Sequence, residues 1–573
     1  MYTFMQLKKA TLTTLTSREI RLVVLSNVST QFFSSALQGY AKLQNINLNI
    51  LDTDYNQIDF QLTDINSETY KFSPDYILLY ISTEKLYEEF LDTNINERQN
   101  FADSTIERIK NYWHYINENT NARIIQLNFT EINDNALGNF SNKVDTSFVY
   151  QIRKLNYLLN ESISQNNAVY PLDLLSVQLQ LGASNFFDPV LYYSSKMAIS
   201  INSLPYVAKS ITDVLLSLNG QFKKCVILDL DNTLWGGTVG DLGPFGIEIG
   251  ELGRGHAFTD FQRWLKQLKD YGIILAVCSK NNEDAAKEPF IKLPDMVLKL
   301  SDISVFVANW EDKASNIRLI QETLNIGFDS MVFIDDNPFE RNLVKSMIPE
   351  ITVPELPEDP ALYLSYLQNL NLFEVASVSK ENASRTKQYQ EEFERKKTET
   401  LFTSIDDYLK SLEMSCIVEP FNEKNYPRIA QLTQRSNQFN LRTIRYTESE
   451  IESIAKDNNY LTLTFSLHDK FGDYGLISVI ILEKVNDTTL FINTWLMSCR
   501  VLKRGVEEFI INKVINTAKE NSFTIINAEY IPTAKNAMVK DIYKNFDFTE
   551  TSENHYTITT DSYSQKENFI KEE

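Results

Sequence analysis

Apolar runs alternate with longer polar stretches along the first two thirds of the chain. Between about residues 19 and 205 the runs IRLVVLS, DYILLYIS and ARIIQLNF are separated by polar, helix-like segments, and the same alternation returns between 221 and 372. Strands that alternate with helices form parallel sheets with helices packed on them. The pattern therefore predicts two α/β domains, residues 1–205 and residues 221–372.

The pattern changes in the last third of the chain. Residues 414–560 begin with a strand and a helix, continue with the strand-like runs YLTLTFSL, YGLISVIILE and TLFINTWLM, and end with a long helix, a strand and a short helix. This order predicts a mixed α/β domain. Residues 379–412 are charged and poor in Gly and Pro, which predicts a helical connector. Residues 561–573 form a polar tail that we expect to fray.

Composition narrows the choice of partners and of compartment. The net charge of −21 argues against nucleic acid and anionic membranes as main partners, and it disfavours an acidic carrier protein unless a local basic patch exists. No run approaches the ~20 apolar residues of a membrane span. Cys225, Cys278, Cys416 and Cys499 are scattered without a CxxC pair, which predicts free thiols and a cytoplasmic protein.

Two aspartates end an apolar strand in the second region. The segment VILDLDNTLW, residues 226–235, places Asp229 and Asp231 two positions apart, so in an extended chain their side chains share a face. One carboxylate of such a pair can attack phosphorus while the other exchanges a proton with the leaving group. The pair alone is a weak indication of phosphoryl transfer, because acidic residues also decorate strand ends in open sheets.

Three further pieces follow the aspartate pair along the chain. Ser279 ends the run IILAVCSK, Lys313 follows NWED, and Asp335 and Asp336 close the run MVFIDD. Hard oxygen ligands suit Mg²⁺, and a lysine near a phosphate offsets charge in the transition state. The four pieces together therefore indicate a phosphoryl-transfer site.

In this order the motifs resemble the haloacid dehalogenase superfamily of aspartate-nucleophile phosphotransferases. The resemblance implies a Rossmann-like core in which Asp229 is the nucleophile and Asp231 the general acid/base. It also implies that Thr233 steadies the loop and that Ser279 and Lys313 hold the phosphoryl oxygens. The implied Mg²⁺ ligands are Asp229, the backbone carbonyl of Asp231, Asp335 and Asp336. The short spacings between the motifs predict a core without a large cap, which admits a bulky or protein-borne substrate.

The strand order of residues 414–560 resembles that of a GNAT-type acyltransferase. In that fold the turn after the fourth strand, with the helix that follows it, binds the pyrophosphate of a pantetheine cofactor. Here the turn is SCRVLKRGVEE, residues 498–508, and Lys503 stands where the usual Arg/Gln-x-x-Gly-x-Gly pattern has its first Gly. The lysine narrows the backbone approach but adds a positive charge, which leaves the binding of free acetyl-CoA open.

Motifs spread over most of the chain resemble the FkbH-like family. They are CVILDLDNTLWGGTVGDLG, CSKNNE, NWEDKASNI, FIDDNPFERNLV, TQRSNQFNLRT, DKFGDYGL, SCRVLKRGVE and IPTAKNAMVKDIYKNF. Members fuse a haloacid dehalogenase phosphatase domain to a GNAT-like module, often behind an SGNH-hydrolase-like domain with a flavodoxin-like three-layer sheet. The resemblance implies glyceryl transfer in polyketide or related biosynthesis. An acyl phosphate such as 1,3-bisphosphoglycerate would release phosphate and become a glyceryl thioester, first on an enzyme cysteine and then on the phosphopantetheine of an acyl carrier protein.

We expect Cys499 to carry the acyl group, with Cys278 as the alternative. Cys499 lies near the start of a predicted helix, beside Arg500, Lys503 and Arg504, whose charges favour a thiolate. Cys278 directly precedes Ser279, but strand alternation should turn its side chain to the opposite face. Either cysteine can instead be a small buried core residue.

The family resemblance also implies an acyl- or pantetheine-binding set in the C-terminal module. Its members are Gln434, Arg435, Asn437, Gln438, Arg500, Arg504, Gly505, Lys535 and Asn536. The alternative for the amide-rich segment TQRSNQFN is a helix end capped by its own side chains, and for Lys535 and Asn536 a solvated helix cap. Tyr543 is better explained as aromatic core, and the segment HDKFGDYG is equally well a hairpin turn or part of the site.

The N-terminal domain lacks the residues of a working hydrolase triad. Ser26 follows the first strand, where an SGNH nucleophile would stand, but Leu191 occupies the histidine position after Asp188, and His114 falls in a helix-like stretch. We expect this domain to be a scaffold, a roof or a docking surface. Two rival functions stay open for the chain: a plain phosphohydrolase with a structural GNAT-like part, and a carrier-binding scaffold with inactive centres.

Overall fold

The computed structural model describes residues 2–12, 19–376, 391, 402, 404–533 and 535–573. The chain forms two compact units, Met1–Leu216 and Ser217–Glu573. The first unit has one sheet, and the second contains the sheets of the regions predicted at 221–372 and 414–560. The predicted α/β architecture, with parallel sheets and one mixed sheet, is confirmed.

The first unit is built on a five-stranded parallel sheet of order β2-β1-β3-β4-β5. Its strands are β1 (Ile20–Ser26), β2 (Leu48–Asp52), β3 (Tyr76–Tyr80), β4 (Arg123–Leu127) and β5 (Val169–Leu172). This order is that of flavodoxin-like folds. Every residue of β3 is buried, as expected for a central strand covered on both faces, which is why its sequence is a continuous apolar run.

Amphipathic helices cover this sheet. Leu86, Phe90, Ile106 and Phe148, from three helices, share one apolar core with Ile77 of β3 and its neighbours. The helices are Phe4–Lys8, Gln31–Leu43, Ile58–Thr63, Glu68–Phe72, Thr83–Asp92, Phe101–Asn119, Phe148–Ser164, Leu174–Leu181, Ala183–Phe186, Pro189–Ser195 and Leu204–Leu218. The last of these continues into the second unit.

The second unit begins with a four-stranded parallel sheet of order β8-β7-β6-β9. Its strands are β6 (Cys225–Leu228), β7 (Ile274–Ser279), β8 (Val305–Ala308) and β9 (Met331–Ile334). Alternate residues of β6 enter two separate apolar cores, Val226 and Leu228 on one face and Cys225 and Ile227 on the other. Both faces are therefore covered, and apart from Ser279 at the end of β7 the four strands consist of apolar residues.

Helices cover both faces of this sheet, and the connections between its strands, within residues 225–334, contain no large inserted cap. The helices are Val239–Leu242, Gly253–Asp270, Glu283–Lys292, Lys313–Leu324, Pro338–Met347 and Tyr363–Asn369. Before its long helix, the connection from β6 to β7 contains only one short helix and a bridge between Gly236 and Glu248. This small insertion agrees with the core predicted from the motif spacing.

The C-terminal module of the second unit is built on an eight-stranded mixed sheet of order β15-β16-β14-β13-β12-β11-β10-β17. From β10 to β13 each strand is antiparallel to its neighbour, whereas β13 pairs with β14 in parallel. The strands are β10 (Ser415–Glu419), β11 (Tyr460–Asp469), β12 (Gly472–Asn486), β13 (Thr489–Met497), β14 (Ile525–Glu529), β15 (Thr549–Ser552), β16 (His555–Thr559) and β17 (Lys571–Glu572). The helices are Ile405–Ser411, Tyr426–Arg435, Glu448–Lys456, Val506–Glu520 and Ile542–Asn545.

The sequence predicts that the polar tail, residues 561–573, frays, but in the structure the tail is held by contacts with the rest of the module. Lys571 and Glu572 pair with β10, Ile570 is buried, and the Tyr563 hydroxyl donates to Asn512 at 2.7 Å. A few apolar residues and one strand pairing thus hold a segment whose composition is polar. Most of the predicted connector, residues 379–412, lies outside the described residues. Among the described residues, no helix is both long and apolar enough to cross a membrane.

Candidate active site

Three carboxylates meet at the carboxyl edge of the four-stranded sheet. Asp229 directly follows β6, and Asp335 and Asp336 directly follow β9, the parallel neighbour of β6. Because the carboxyl ends of parallel strands meet at one edge, the side-chain oxygens of these three aspartates lie within 4.8 Å of one another. The structure therefore brings together the three aspartates that the sequence predicts as side-chain metal ligands.

Lys313 lies among these carboxylates as a buried countercharge. It begins the helix Lys313–Leu324, and its Nζ is 2.8 Å from Asp229 and 2.5 Å from Asp335. Burial alone would lower the pKa of Lys313, but the two carboxylates hold that pKa above its ordinary value, so the ammonium stays charged. Ser279 ends β7 on the other side of β6 and is buried at the same edge.

The loop after Asp229 fixes the side chain of Asp231, which is not one of the three clustered carboxylates. Its carboxylate accepts hydrogen bonds from Trp235 Nε1 at 2.8 Å, from the Val239 amide at 3.0 Å and from Asn281 Nδ2 at 2.9 Å. Burial, helped by the nearby charge of Asp229, raises the pKa of Asp231. A carboxyl with a raised pKa is suited to exchange a proton, which fits the acid/base role expected from the sequence.

Thr233 ties this loop to the aspartates after β9. Its hydroxyl accepts a hydrogen bond from the Asp336 amide at 3.2 Å and is 3.4 Å from a carboxylate oxygen of Asp336. Asn232, just before it, adopts a left-handed φ of 57°, a conformation that asparagine tolerates well. The turn thereby returns the chain toward β9, as expected for a loop-steadying residue.

Two residues of this centre were missed by the sequence reasoning. Asn281 holds Asp231, and Arg341 donates from Nη1 to the backbone carbonyls of Asp335 at 2.8 Å and Asp336 at 2.6 Å. Both lie inside motifs that carried the family resemblance, CSKNNE and FIDDNPFERNLV. Their presence in these two motifs is the one feature of the sequence that could have identified them, since neither residue is at a strand end.

The donor set fits a hard divalent cation. Burial, together with the charge of Asp229, raises the pKa of Asp335 to about 6 and raises the pKa of Asp336 as well. Three close carboxylates with one lysine leave excess negative charge in a buried place, and carboxylate oxygens are the ligands that Mg²⁺ prefers. The residues present are therefore those that would hold Mg²⁺.

A second site lies where the C-terminal module packs against the four-stranded sheet. A cavity of about 310 Å³ there contains Cys499 in its wall. Five cationic side chains also line it: Lys224, Arg428, Arg435, Arg500 and Lys535. Asp329 is the one carboxylate among the described lining residues. In a chain with a net charge of −21, this cavity is a concentrated positive site.

The predicted acyl- and pantetheine-binding residues divide into two groups around this cavity. Arg435, Asn437, Gln438, Arg500 and Lys535 line it together with Cys499. The remaining four are not in its wall, namely Gln434, Arg504, Gly505 and Asn536.

Asn536 and Arg504 have structural partners within the module. Asn536 is fully buried, where Nδ2 donates to the carbonyls of Asn440 and Ile531, both at 2.9 Å. Arg504 is buried and donates to the Tyr474 hydroxyl. That hydroxyl in turn donates to Asp469 at 3.0 Å, so the segment HDKFGDYG forms the β11–β12 turn together with a buried network.

The turn after β13 is occupied by the chain's own groups. A carboxylate oxygen of Glu507 accepts from the Lys503 amide at 3.2 Å, and a Cβ on Gly505 would lie 3.5 Å from Asn568 of the tail. Burial raises the pKa of Glu507. An anion at this helix N-terminus would have to displace both an internal carboxyl group and the tail.

The gap between β13 and β14 is also filled. These strands pair only from Thr489 to Ile492, and beyond that point the chain's own segment Phe439–Leu441 pairs with β13. The Leu441 amide donates to the Trp495 carbonyl at 3.2 Å, and the Met497 amide donates to the Phe439 carbonyl at 3.0 Å. Tyr543 lies beneath this segment, fully buried with its ring against Trp495, so its place in the structure is aromatic core.

The four cysteines differ in environment. Cys225, Cys278 and Cys416 are buried, and burial raises the pKa of each thiol, in Cys416 to about 12. Cys278 belongs to the core on one face of the sheet, and its Sγ lies 3.7 Å from the Lys313 carbonyl oxygen. Cys499 is half-buried and reaches the cavity, while Asn325 of the sheet region donates to its carbonyl at 2.6 Å.

The candidate hydrolase residues of the first unit have separate partners. Ser26 is buried, and its hydroxyl accepts from the Val28 amide at 3.1 Å. Asp188 caps the helix Pro189–Ser195 through the amides of Val190 and Leu191. His114 is exposed and lies 3.2 Å from Glu118 on its own helix. The three residues have the contacts of ordinary structural positions.

Comparisons with known proteins agree with this description. Residues 21–216 match the family described as FkbH, N-terminal domain. The N-terminal part of the protein BF1531 from Bacteroides fragilis, containing a phosphatase domain and complexed with Mg, is 46% identical. The match covers 66% of this chain and 100% of that one, with a TM-score of 0.63. No curated protein matches the chain.

Acetyltransferases of known structure are similar to smaller parts of the chain. The ribosomal-protein-S18-alanine N-acetyltransferase of Escherichia coli is 14% identical, over 27% of this chain and 99% of that one, with a TM-score of 0.21. The spermidine N-acetyltransferase of Vibrio cholerae, in complex with CoA and spermine, is 14% identical over 26% of this chain and 98% of that one, with a TM-score of 0.22.

Proposed function

Because this chain belongs to the FkbH-like family, with its haloacid dehalogenase-type phosphatase domain, we propose that it is a glyceryl-transferring phosphatase that acts with an acyl carrier protein. Its substrate is a three-carbon acyl phosphate such as 1,3-bisphosphoglycerate, and its product is a glyceryl thioester on the carrier's phosphopantetheine. The observation that carries the proposal is the cluster of Asp229, Asp335 and Asp336 around Lys313.

The positions of these side chains support the following phosphatase step. The Asp229 carboxylate attacks phosphorus, the bond from phosphorus to the leaving oxygen breaks, and an aspartyl phosphate forms. Asp231, whose pKa is raised by burial, gives a proton to the leaving oxygen and then takes one from the water that hydrolyses the phosphoenzyme. Lys313 and Ser279 hold the phosphoryl oxygens while this happens.

We propose Mg²⁺ as the metal of this centre, as in the Bacteroides protein. Asp229, Asp335, Asp336 and the backbone carbonyl of Asp231 would hold it. When bound, it supplies positive charge to the phosphoryl oxygens as negative charge develops on them. The raised pKa values of Asp335 and Asp336 support this assignment, because burial and the charge of Asp229 disfavour the carboxylates in the absence of a further positive charge beside Lys313.

A carrier-borne substrate is supported by the open mouth of the centre. Within residues 225–334 no large cap is inserted between the strands, and apolar side chains are exposed in the segments that follow the strands at this edge, two of them in loops and one in the first turn of the helix Pro338–Met347. Phe245, Trp310 and Phe339 are 77%, 77% and 69% exposed. Large exposed aromatic groups at the entrance of a site are suited to contact a protein partner rather than to enclose a small metabolite.

The thioester step is assigned to Cys499. Of the four cysteines it alone is not fully buried, and it shares its cavity with five cationic side chains, which favour a thiolate. We further propose that the enzyme works in a reducing cytoplasm, where this thiol is not consumed by disulfide formation.

Intact-protein mass spectrometry tests the proposal. The protein is incubated with Mg²⁺ and 1,3-bisphosphoglycerate, with and without a pantetheinylated carrier. We expect an acyl adduct on Cys499 that moves to the carrier when the carrier is added. Phosphate release without any adduct would contradict acyl transfer and leave a phosphatase.

One observation favours a second candidate function, a plain phosphatase with a structural C-terminal module. The gap between β13 and β14 and the turn after β13 are filled by the chain's own residues, including Phe439 and Glu507. A module filled in this way need not bind any cofactor. Phosphate release that is unchanged after complete alkylation of Cys499, in the presence of carrier, would support this candidate.

A further inference from the structure

The cavity with Cys499 and the phosphatase centre lie at opposite edges of the four-stranded sheet. Lys224 and Ser330, which line the cavity, directly precede β6 and β9, whereas Asp229 and Asp335 directly follow the same strands. An extended strand advances about 3.3 Å per residue, so the α-carbons of Lys224 and Asp229 are about 16 Å apart. An acyl group on Cys499 therefore lies far beyond bonding distance of the Asp229 carboxylate.

The cavity is built jointly by the sheet region and the C-terminal module. Lys224 Nζ donates to the Arg435 carbonyl at 2.7 Å, and Asn437 Nδ2 donates to the Gly220 carbonyl at 3.1 Å. Lys535 forms an ion pair with Asp329, and Asn325 holds the backbone of Cys499. Neither part alone would have the full set of charges around the thiol.

Lys224 brings a positive charge from the sheet region to Cys499. Burial lowers its pKa to about 8, while a negative charge on the nearby Cys499 would act in the opposite direction. Arg435, whose pKa burial lowers to about 10, lies on the same wall. These cations lie beside a thiol and outnumber the carboxylates around it, an arrangement suited to an anion with an electrophilic carbon.

We infer that this cavity is the entry site of the acyl phosphate, and that Lys224, together with the cations of the C-terminal module, binds the phosphate group that leaves when Cys499 is acylated. This inference rests on the proposed function and adds the place where its first step occurs. The Cys499 thiol loses its proton to water, and the thiolate attacks the carbonyl carbon. The bond from that carbon to the phosphate oxygen breaks with its electron pair on oxygen, and the released phosphate takes up a proton.

The separation of the two sites sets the order of the later steps. A bisphosphorylated three-carbon acid retains its phosphoester after Cys499 is acylated, and that phosphoester cannot reach Asp229 while the acyl group is on Cys499. The acyl group must therefore leave the cavity, on the thiol of the carrier's phosphopantetheine, before the phosphatase centre removes the second phosphate. The carrier protein therefore moves the acyl group from the cavity to the phosphatase centre.

Protection of Cys499 from alkylation tests the anion site. The rate of iodoacetamide labelling of Cys499 is followed by peptide mapping at increasing concentrations of inorganic phosphate and of acetyl phosphate, in wild type and in Lys224→Met. We expect phosphate to protect wild-type Cys499 saturably and the half-protecting concentration to rise about tenfold or more in Lys224→Met, the change that loss of a charge-assisted hydrogen bond produces. Lys224→Arg should restore protection.

Lys223→Met is the matched control. Lys223 also loses a buried charge in this variant, but its Nζ donates to the Asp329 carbonyl at 2.7 Å and it is not in the cavity wall. Its half-protecting concentration should stay within about twofold of wild type. Equal loss of protection in both variants, or unchanged protection in Lys224→Met, would overturn the inference.

The same experiment separates failure of the anion site from failure of the proposed function. If inorganic phosphate protects Cys499 through Lys224 but no acyl phosphate ever forms an adduct, the anion site stands and acyl transfer falls. If an adduct forms on Cys499 and Lys224→Met forms it at the wild-type half-saturating concentration, acyl transfer stands and the role of Lys224 falls.

Discussion

At the scale of single residues, the two sites depend on groups that can be exchanged one at a time. Asp229 has the nucleophile's position, and an amide in its place keeps the size of the side chain but cannot form a phosphoenzyme. We expect Asp229→Asn to lower phosphate release by about 1,000-fold or more, as loss of a nucleophile does elsewhere. Phosphate release from a small phosphoester, measured at saturating Mg²⁺, is the assay.

Asp295→Asn is the control for Asp229→Asn, since Asp295 is an exposed carboxylate of the same sheet region. It should release phosphate at close to the wild-type rate. Turnover of Asp229→Asn within tenfold of wild type would rule out the phosphoenzyme mechanism.

The cysteine assignment is also decided at the residue scale. Cys499→Ser should abolish formation of the acyl adduct, because an alkoxide is not available at neutral pH, while hydrolysis of a small phosphoester at Asp229 continues. Cys278→Ser is the matched substitution in a buried core and should cost about 1 kcal/mol of stability without loss of the adduct. Intact mass after incubation with acyl phosphate measures both. An adduct that persists in Cys499→Ser and disappears in Cys278→Ser would reverse the assignment.

At the scale of elements, strand β6 links the two sites, and the glycine before it sets how closely the C-terminal module approaches. Gly220 has a φ of +72°, and a Cβ there would lie 2.3 Å from the Gln434 carbonyl oxygen. We expect Gly220→Ala to lower the free energy of unfolding by about 3 kcal/mol, from backbone strain and the clash, and to slow acylation of Cys499. Denaturant unfolding and adduct formation are the measurements.

Gly138→Ala is the control for the strain of a positive φ alone. Gly138 has a φ of +55°, and an added Cβ would meet nothing within 4 Å. It should cost about 1 kcal/mol and leave acylation unchanged. Equal effects of the two substitutions would show that the close approach of Gly220 to Gln434 has no part in the cavity.

The first turn of the helix Thr83–Asp92 contains a group that makes stability depend on pH. Burial raises the pKa of Glu84 to about 7 from 4.5, so its stabilising neutral form is complete below about pH 4.5 and is lost as pH rises through 7. Glu84→Gln removes this loss. Between pH 6 and pH 8.5 the wild type should lose about 1 kcal/mol relative to the variant, by the usual linkage relation.

Chemical unfolding at the two pH values checks the role of Glu84, with Glu89→Gln as a control from the same helix. Glu89 is exposed, so its replacement should change stability by the same amount at both pH values. If Glu84→Gln loses as much stability between the two pH values as Glu89→Gln does, Glu84 is not the group responsible.

The elements of the fold were largely predictable, and their contacts were not. Apolar runs predict β1, β3, β4 and most strands of the second unit, because each of these strands is buried on one or both faces. The short strands β15 and β17 are exposed and polar, so no periodicity marks them. The predicted phosphatase residues follow strand ends in fixed order, whereas the role proposed for Lys224 depends on its contact with Arg435 of the C-terminal module, which no sequence pattern marks.

At the scale of the whole molecule, the two proposed chemical steps take place at opposite edges of one sheet. The proposed acylation site is formed jointly by the sheet region and the C-terminal module, and the carboxylate cluster of the proposed phosphatase centre lies at the other edge of the same sheet. A carrier that collects the acyl group at one edge can present it at the other edge of the same molecule or of a second molecule. The separation therefore predicts that the two sites can cooperate between different copies of the chain.

Cooperation between copies is tested by mixing Asp229→Asn with Cys499→Ser in the presence of Mg²⁺, 1,3-bisphosphoglycerate and pantetheinylated carrier. Mass spectrometry of the carrier should show a phosphoglyceryl thioester with Asp229→Asn alone and unmodified carrier with Cys499→Ser alone. The mixture should yield the dephosphorylated glyceryl thioester, because the carrier moves the acyl group from one variant to the other. A mixture that yields only phosphoglyceryl carrier would show that both centres must act within one molecule and would contradict the account.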